Sequence, residues 1–154
     1  MQLFPAGLGV TLAMMFTMAV GSSAILAVAV SAPDSFPDIG VSDSYVGLFT
    51  GFVYFVSMFF GSFCTRFIAR YGPIRVLQIS AIASTLGLSF FTLATPTATV
   101  LCAILLGIAY GPINPSHAPV LLRVSHSGNR GVLFSIKQAG VTVGGAAAAG
   151  IVPY

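Results

Sequence analysis

From Val76 to Leu122 this chain carries no Asp, Glu, Lys or Arg, and His117 is the one histidine in the run. A helix needs ~20 apolar residues to cross the ~30 Å of hydrocarbon in a bilayer, so the run is long enough to cross twice. It must therefore turn back once, and Thr95-Pro96-Thr97-Ala98-Thr99 is the polar, proline-bearing place to do so. Water is the wrong solvent for such a chain. Only 6% of its residues are charged and 56% are apolar, with a mean hydropathy of +0.99, against roughly one quarter charged in a soluble domain. Too few polar side chains exist to cover a water-exposed surface, so lipid has to solvate the excess. The fold class expected is an all-α integral membrane protein.

The same criterion applied outward predicts five spans, at about residues 7–32, 45–65, 75–94, 97–122 and 131–154. The segment Ser31–Asp38 reads as loop by its prolines and aspartates. Val30-Ser31-Ala32 superficially resembles a signal-peptidase site, but a signal peptide needs a basic start and an apolar core of only ~7–15 residues.

Charge placement orients the spans. Arg66, Arg70 and Arg75 fall in the loop after the second span, Arg123 and Arg130 in the loop after the fourth, and Lys137 slightly inside the fifth. Asp34, Asp38 and Asp43 all fall after the first. Lys and Arg near span ends stay cytoplasmic, so one topology satisfies every strong charge, with the N-terminus inside. The expected setting is the plasma membrane, or the inner membrane of a bacterium. The basic residues stand singly with no interleaved aromatics, which excludes a nucleic-acid surface. Cys64 and Cys102 form no CxxC pair and lie near opposite ends of their spans, so no metal site or disulfide is implied.

Helical spacing then sorts the faces. On span two, Gly47, Thr50, Gly51, Tyr54, Ser57, Gly61 and Thr65 form a small, weakly polar stripe, opposite Leu48, Phe52, Phe55, Phe59 and Phe63. The first side suits close helix packing, with a cavity role for Tyr54 as the sharper reading; the second suits lipid. On span four, Ala103, Gly107, Tyr110, Asn114 and His117 share a face that lipid could not satisfy, and Pro112, Pro115 and Pro119 interrupt the same turns. A broken, polar helix is a candidate site; the plainer alternative is that Asn114 and His117 only bond within the bundle. Lys137 lies about 10 Å into span five, where it either snorkels back to the cytoplasmic surface or lines a water-filled cavity with Gln138 and binds an anionic group. Gly140, Gly144, Gly145 and Gly150 with Ala146–Ala149 offer a surface for close packing.

No enzyme constellation is present. Ser116-His117 and Ser125-His126 lack an orienting acid, since the only carboxylates sit together after span one. No HExxH, P-loop or GxGxxG stretch occurs, and no cofactor is implied.

Over essentially its whole length the chain resembles the major facilitator superfamily. The resemblance rests on an apolar first helix ending near a proline and a short external loop, Asp38-Ile39-Gly40-Val41-Ser42-Asp43-Ser44-Tyr45-Val46-Gly47. It rests further on Thr65-Arg66-Phe67-Ile68-Ala69-Arg70-Tyr71-Gly72-Pro73-Ile74-Arg75 after span two. There Arg70, Gly72 and Arg75 match the family's cytoplasmic signature, while Thr65 and Ala69 stand in place of its first Gly and its Asp. Ala103 falls about where proton-coupled members place an Arg. The glycines of span five resemble those of antiporter members without their Gly-Pro pair. The resemblance implies two six-helix halves around a cavity, each built of inverted repeats, of which this chain supplies the N-terminal part: about five of an expected twelve helices. The implied activity is secondary transport of a small solute by alternating access. The expected cavity contacts are Tyr54, Tyr110, Asn114, His117, Lys137 and Gln138, and the two potentially cationic groups favour an anionic substrate such as an organic acid. The implied partners are the bilayer, that solute and the remaining transporter helices. The rival expectation is a non-transporting module: an assembly or sensor subunit, or a truncated product.

Overall fold

A computed structural model describes residues 7–38, 40–126 and 128–151, and these are helical apart from short connections. Helix α1 spans Leu8–Asp38, and a single 3-10 turn at Asp43–Tyr45 leads into α2, Val46–Tyr71. Then follow α3 (Pro73–Phe91), α4 (Pro96–Tyr110), α5 (Ile113–Val124) and α6 (Arg130–Ile151). α4 and α5 together make one crossing, Pro96–Val124, so the described residues contain five segments long and apolar enough to span a membrane.

Two expected loops are helix instead. α1 runs through Pro33 and Pro37, although each proline removes a backbone donor. Packing outweighs that loss. Ala32 and Phe36 are fully buried, and the Phe36 ring meets Phe49 of α2 edge-on at 6.4 Å. At 31 residues α1 is about 46 Å long, well beyond the ~30 Å hydrocarbon layer.

The second correction is the basic loop. α2 continues to Tyr71, six residues past its expected end, and only Gly72 separates it from α3. Arg66 and Arg70 ride on the last turns of α2 and Arg75 on the first turn of α3, all exposed. Cations suit a helix C-terminus because the terminal carbonyls there carry partial negative charge. Gly72 turns the chain with φ 81 and ψ 156, a region open almost only to glycine. An added Cβ would meet nothing within 4 Å, so the constraint is purely one of backbone. Gly72→Ala is expected to cost about 1–3 kcal/mol, read as a lower thermal midpoint in mild detergent, and an unchanged midpoint would refute the strain.

The turn between α3 and α4 lies slightly earlier than expected, at residues 92–95. Thr95 caps α4 by accepting the Ala98 amide at 3.3 Å, and Pro96 takes the first helical position, where its missing donor is harmless.

Small residues set how the helices approach. α1 and α6 run parallel, with Gly140 against the Met15 carbonyl and Met18, and Gly144 against the Ala19 carbonyl and Ser22. The Ser22 hydroxyl bridges that seam to the Val141 carbonyl at 3.2 Å. α2 and α4 are also parallel: Gly107 receives Val53 and Val56, and Gly111 lies against Ser57 and Gly61. α1 and α5 are antiparallel, Gly7 meeting Val124 and Gly21 meeting Ile113. Odd and even crossings thus point oppositely, as a chain threading a bilayer back and forth requires.

The expected small stripe of α2 is only partly its packing face. Ser57 and Gly61 face α4, but Gly47 and Gly51 front open space, Tyr54 and Thr65 are exposed, and the buried residues are Phe49, Val53 and Cys64. The sockets belong to α4, whose glycines admit larger side chains from α2. Phe52, Phe55, Phe59 and Phe63 lie exposed, as expected of a lipid-facing side.

Candidate functional site

The candidate site lies where the fourth crossing breaks. Gly111 and Pro112 separate α4 from α5, and Pro112, Pro115 and Pro119 leave the carbonyls of Ile108, Gly111 and Pro115 without their usual helical donors. Pro112 still accepts the Ser116 amide at 2.9 Å, so the chain resumes its helix at once and aims Asn114 and His117, one turn apart, along one face.

Two other helices bring partners to that face. α6 supplies Lys137, whose ammonium donates to Asn114 Oδ1 at 2.9 Å and sits 4.6 Å from the centre of the Phe134 ring. That ring adds a cation–π attraction. Only 3% of Lys137 is exposed. It does not snorkel; its head is held inside the bundle. α1 supplies Thr17, whose Oγ1 lies 2.9 Å from His117 Nε2 and also donates to the Met14 carbonyl at 2.9 Å. His117 is 2% exposed, and its Nδ1 has no hydrogen-bond partner among the described residues. The Ser116 and Ser125 hydroxyls share that condition.

The structure therefore divides the expected residues. Lys137 and Asn114 are hydrogen-bonded, whereas the hydrogen bond of His117 among the described residues goes to Thr17. Asn114 is exposed while Lys137 behind it is buried, so the amide forms the open side of the cluster. Tyr54 and Tyr110 make a separate aromatic pair, ring centres 5.9 Å apart at 80°. Gln138, about 100° around α6 from Lys137, is exposed and does not share its face. Arg70, Gly72 and Arg75 lie at the α2–α3 junction, where the Arg70 guanidinium stands 5.4 Å over the Tyr71 ring.

Thr17 and Phe134 were not anticipated. Phe134 precedes Lys137 by three residues, a helical spacing that could have flagged it; Thr17 gives no such signal, because its partner is a hundred residues away. A cavity of about 530 Å³ between α1, α3, α4, α5 and α6 is mostly apolar and touches the cluster at Thr17. Among the described residues no three His, Cys, Asp or Glu side chains are placed to hold a metal, and both cysteines are buried and free.

Chemically, the cluster is a buried cation with a neutral amide at its open side and a histidine one turn away. A family model described as Major Facilitator Superfamily matches residues 7–154. No curated protein and no solved structure matches the chain.

Proposed function

The chain belongs to the major facilitator superfamily, a family of membrane transporters and not of enzymes, and from that premise we propose that it moves a small organic anion by alternating access. The observation that carries the reading is Lys137: a cation 3% exposed, whose hydrogen-bond partner is the neutral amide of Asn114. Buried charge is costly in a membrane protein and is retained where it meets a substrate, an ion path or an opposite charge. The acids after the first span do not serve, since Asp34 lies some twenty residues up the parallel α1, roughly 30 Å away. An anion entering past Asn114 would supply the missing partner.

In this reading the chain forms most of an N-terminal six-helix half, set in a plasma or bacterial inner membrane with its N-terminus cytoplasmic. The exposed Arg66, Arg70, Arg75, Arg123 and Arg130 at helix ends support that orientation. Tyr54 and Tyr110 would border the passage, and His117 would stand behind Asn114.

Uptake by the protein expressed from the complete gene tests the reading. Labelled pyruvate, lactate and succinate are compared with a neutral sugar and an organic cation at equal concentration. We expect uptake of at least one acid above the empty-vesicle level; transport confined to the sugar or the cation overturns it. Unchanged uptake in both His117→Ala and Lys137→Ala, at equal expression, removes those residues from the site.

A further inference from the structure

Resting on the anion reading above, we propose that the amide nitrogen of Asn114 is the group that holds the substrate, that the substrate is a monocarboxylate, and that dicarboxylates are refused. Hydrogen bonding fixes which way the amide faces. An ammonium has three donors and no acceptor, so only Oδ1 of Asn114 can meet Lys137 Nζ at 2.9 Å. Nδ2 then points away from the lysine, with two N–H donors that bond to nothing among the described residues. Asn114 is exposed while Lys137 is only 3% exposed, so a solute arriving from the open side meets the amide first. Two free donors with a cation directly behind them suit an anionic acceptor.

The lysine acts through the amide. Its donation draws electron density toward Oδ1 and leaves the Nδ2 protons more positive, the mutual strengthening expected of linked hydrogen bonds where the dielectric is low. The Phe134 ring, 4.6 Å from Nζ, closes another side of the ammonium. Lys137 is thus a positioning residue that supplies countercharge from behind, and Asn114 is the contact.

Charge sets the limit of one carboxylate. Lys137 is the one buried Lys or Arg among the described residues. Arg130 on the same helix and Arg123 on α5 stand roughly 10 Å from Lys137 and 13 Å from Asn114 along their helices, both exposed. His117, one turn from Asn114, is engaged through Nε2 with Thr17 on α1. A monocarboxylate matches the one charge of Lys137. A second carboxylate on the same molecule would stand unpaired, and an uncompensated charge withdrawn from water is strongly unfavourable.

Exchange of labelled acids across vesicles holding the protein expressed from the complete gene tests the proposal. Voltage is clamped at zero with potassium and valinomycin, at about pH 7.5, where every carboxyl is ionised. Wild type should exchange at least one of pyruvate, lactate and acetate 10-fold or more faster than succinate and malate. Asn114→Asp sets a carboxylate against Lys137; it should abolish exchange and raise the thermal midpoint, which separates a cation already paired from a misfolded protein. Ala118→Lys adds a second cation one turn further along the exposed side of α5, and should raise succinate exchange at least 10-fold relative to pyruvate. Four results overturn the proposal and leave the anion reading standing: succinate exchanged by wild type as fast as the monocarboxylates, pyruvate exchange retained by Asn114→Asp, a lowered midpoint in that variant, or a succinate ratio unmoved by Ala118→Lys. No exchange of any acid by wild type overturns both.

Discussion

Replacing Lys137 with methionine is expected to lower anion uptake at least 100-fold and, in the same protein, to raise the midpoint of thermal unfolding. The two effects have one origin. Lys137 is almost wholly buried, yet its hydrogen-bond partner is a neutral amide and its other neighbour is an aromatic ring. A hydrogen bond from a charged donor contributes only about 1.5–3 kcal/mol, while desolvating an ammonium costs several kcal/mol. Methionine has nearly the same length and flexibility, fills the same space and carries no charge. The amide it leaves behind is exposed, so Asn114 is not stranded without solvent. A gain of about 1 kcal/mol or more is therefore expected. On the proposed reading transport falls because Lys137 would attract the anion; 100-fold corresponds to about 2.7 kcal/mol of lost transition-state stabilisation. Uptake at matched expression and thermal unfolding in detergent are the two measurements. A destabilised Lys137→Met protein that still transports would make the lysine a packing element and end its role in the site.

The second large effect is structural. Gly144→Leu should prevent α1 and α6 from closing, with little folded protein recovered after mild detergent extraction. At Gly144 even a bare Cβ would run into the Ala19 carbonyl and the Ser22 hydroxyl, and Gly140 stands in the same relation to the Met15 carbonyl. The two carbonyls are backbone obstacles, so no rotamer change relieves them. Gly144→Ala should already cost about 1–3 kcal/mol, the usual range for overpacking, and leucine more. It would also disturb the Ser22–Val141 bond that crosses the seam. The control is Gly150→Ala on the same helix, where an added Cβ meets nothing within 4 Å; its stability should stay within about 0.5 kcal/mol of wild type. Equal loss at both positions would mean that glycine content, and not the α1–α6 seam, governs folding. The seam matters to the site because it sets the height at which α6 presents Lys137 to Asn114.

Particular residues show where reading the sequence succeeded. The uncharged run from Val76 to Leu122 requires two crossings whatever its partners, because the cost of burying charge or unpaired backbone in hydrocarbon is a local quantity. The break at Pro112 was equally legible, since a missing backbone donor does not depend on context. The errors lie at boundaries. Ser31–Asp38 reads as loop by composition but stays helical because Phe36 is buried against α2, and Arg66 and Arg70 read as loop by their charge but ride on the last turns of α2. Gln138 follows Lys137 in sequence but not on its face, since one residue along a helix is about 100° around it.

What the sequence determined by itself is the solvent and the number of crossings, and with them the candidate polar residues Asn114, His117 and Lys137. Each follows from side-chain chemistry at one position or from periodicity within one helix. Only the tertiary structure decided which of these meet: Lys137 with Asn114, and His117 with a threonine on the first helix instead of with the lysine. It also decided that Lys137 turns inward and does not reach for the surface. The physical reason is that helix pairing depends on glycine sockets, such as Gly107, Gly140 and Gly144, fitting partners as much as 125 residues away, as Gly140 fits Met15. Such complementarity is a property of two surfaces together and leaves no periodic mark on either.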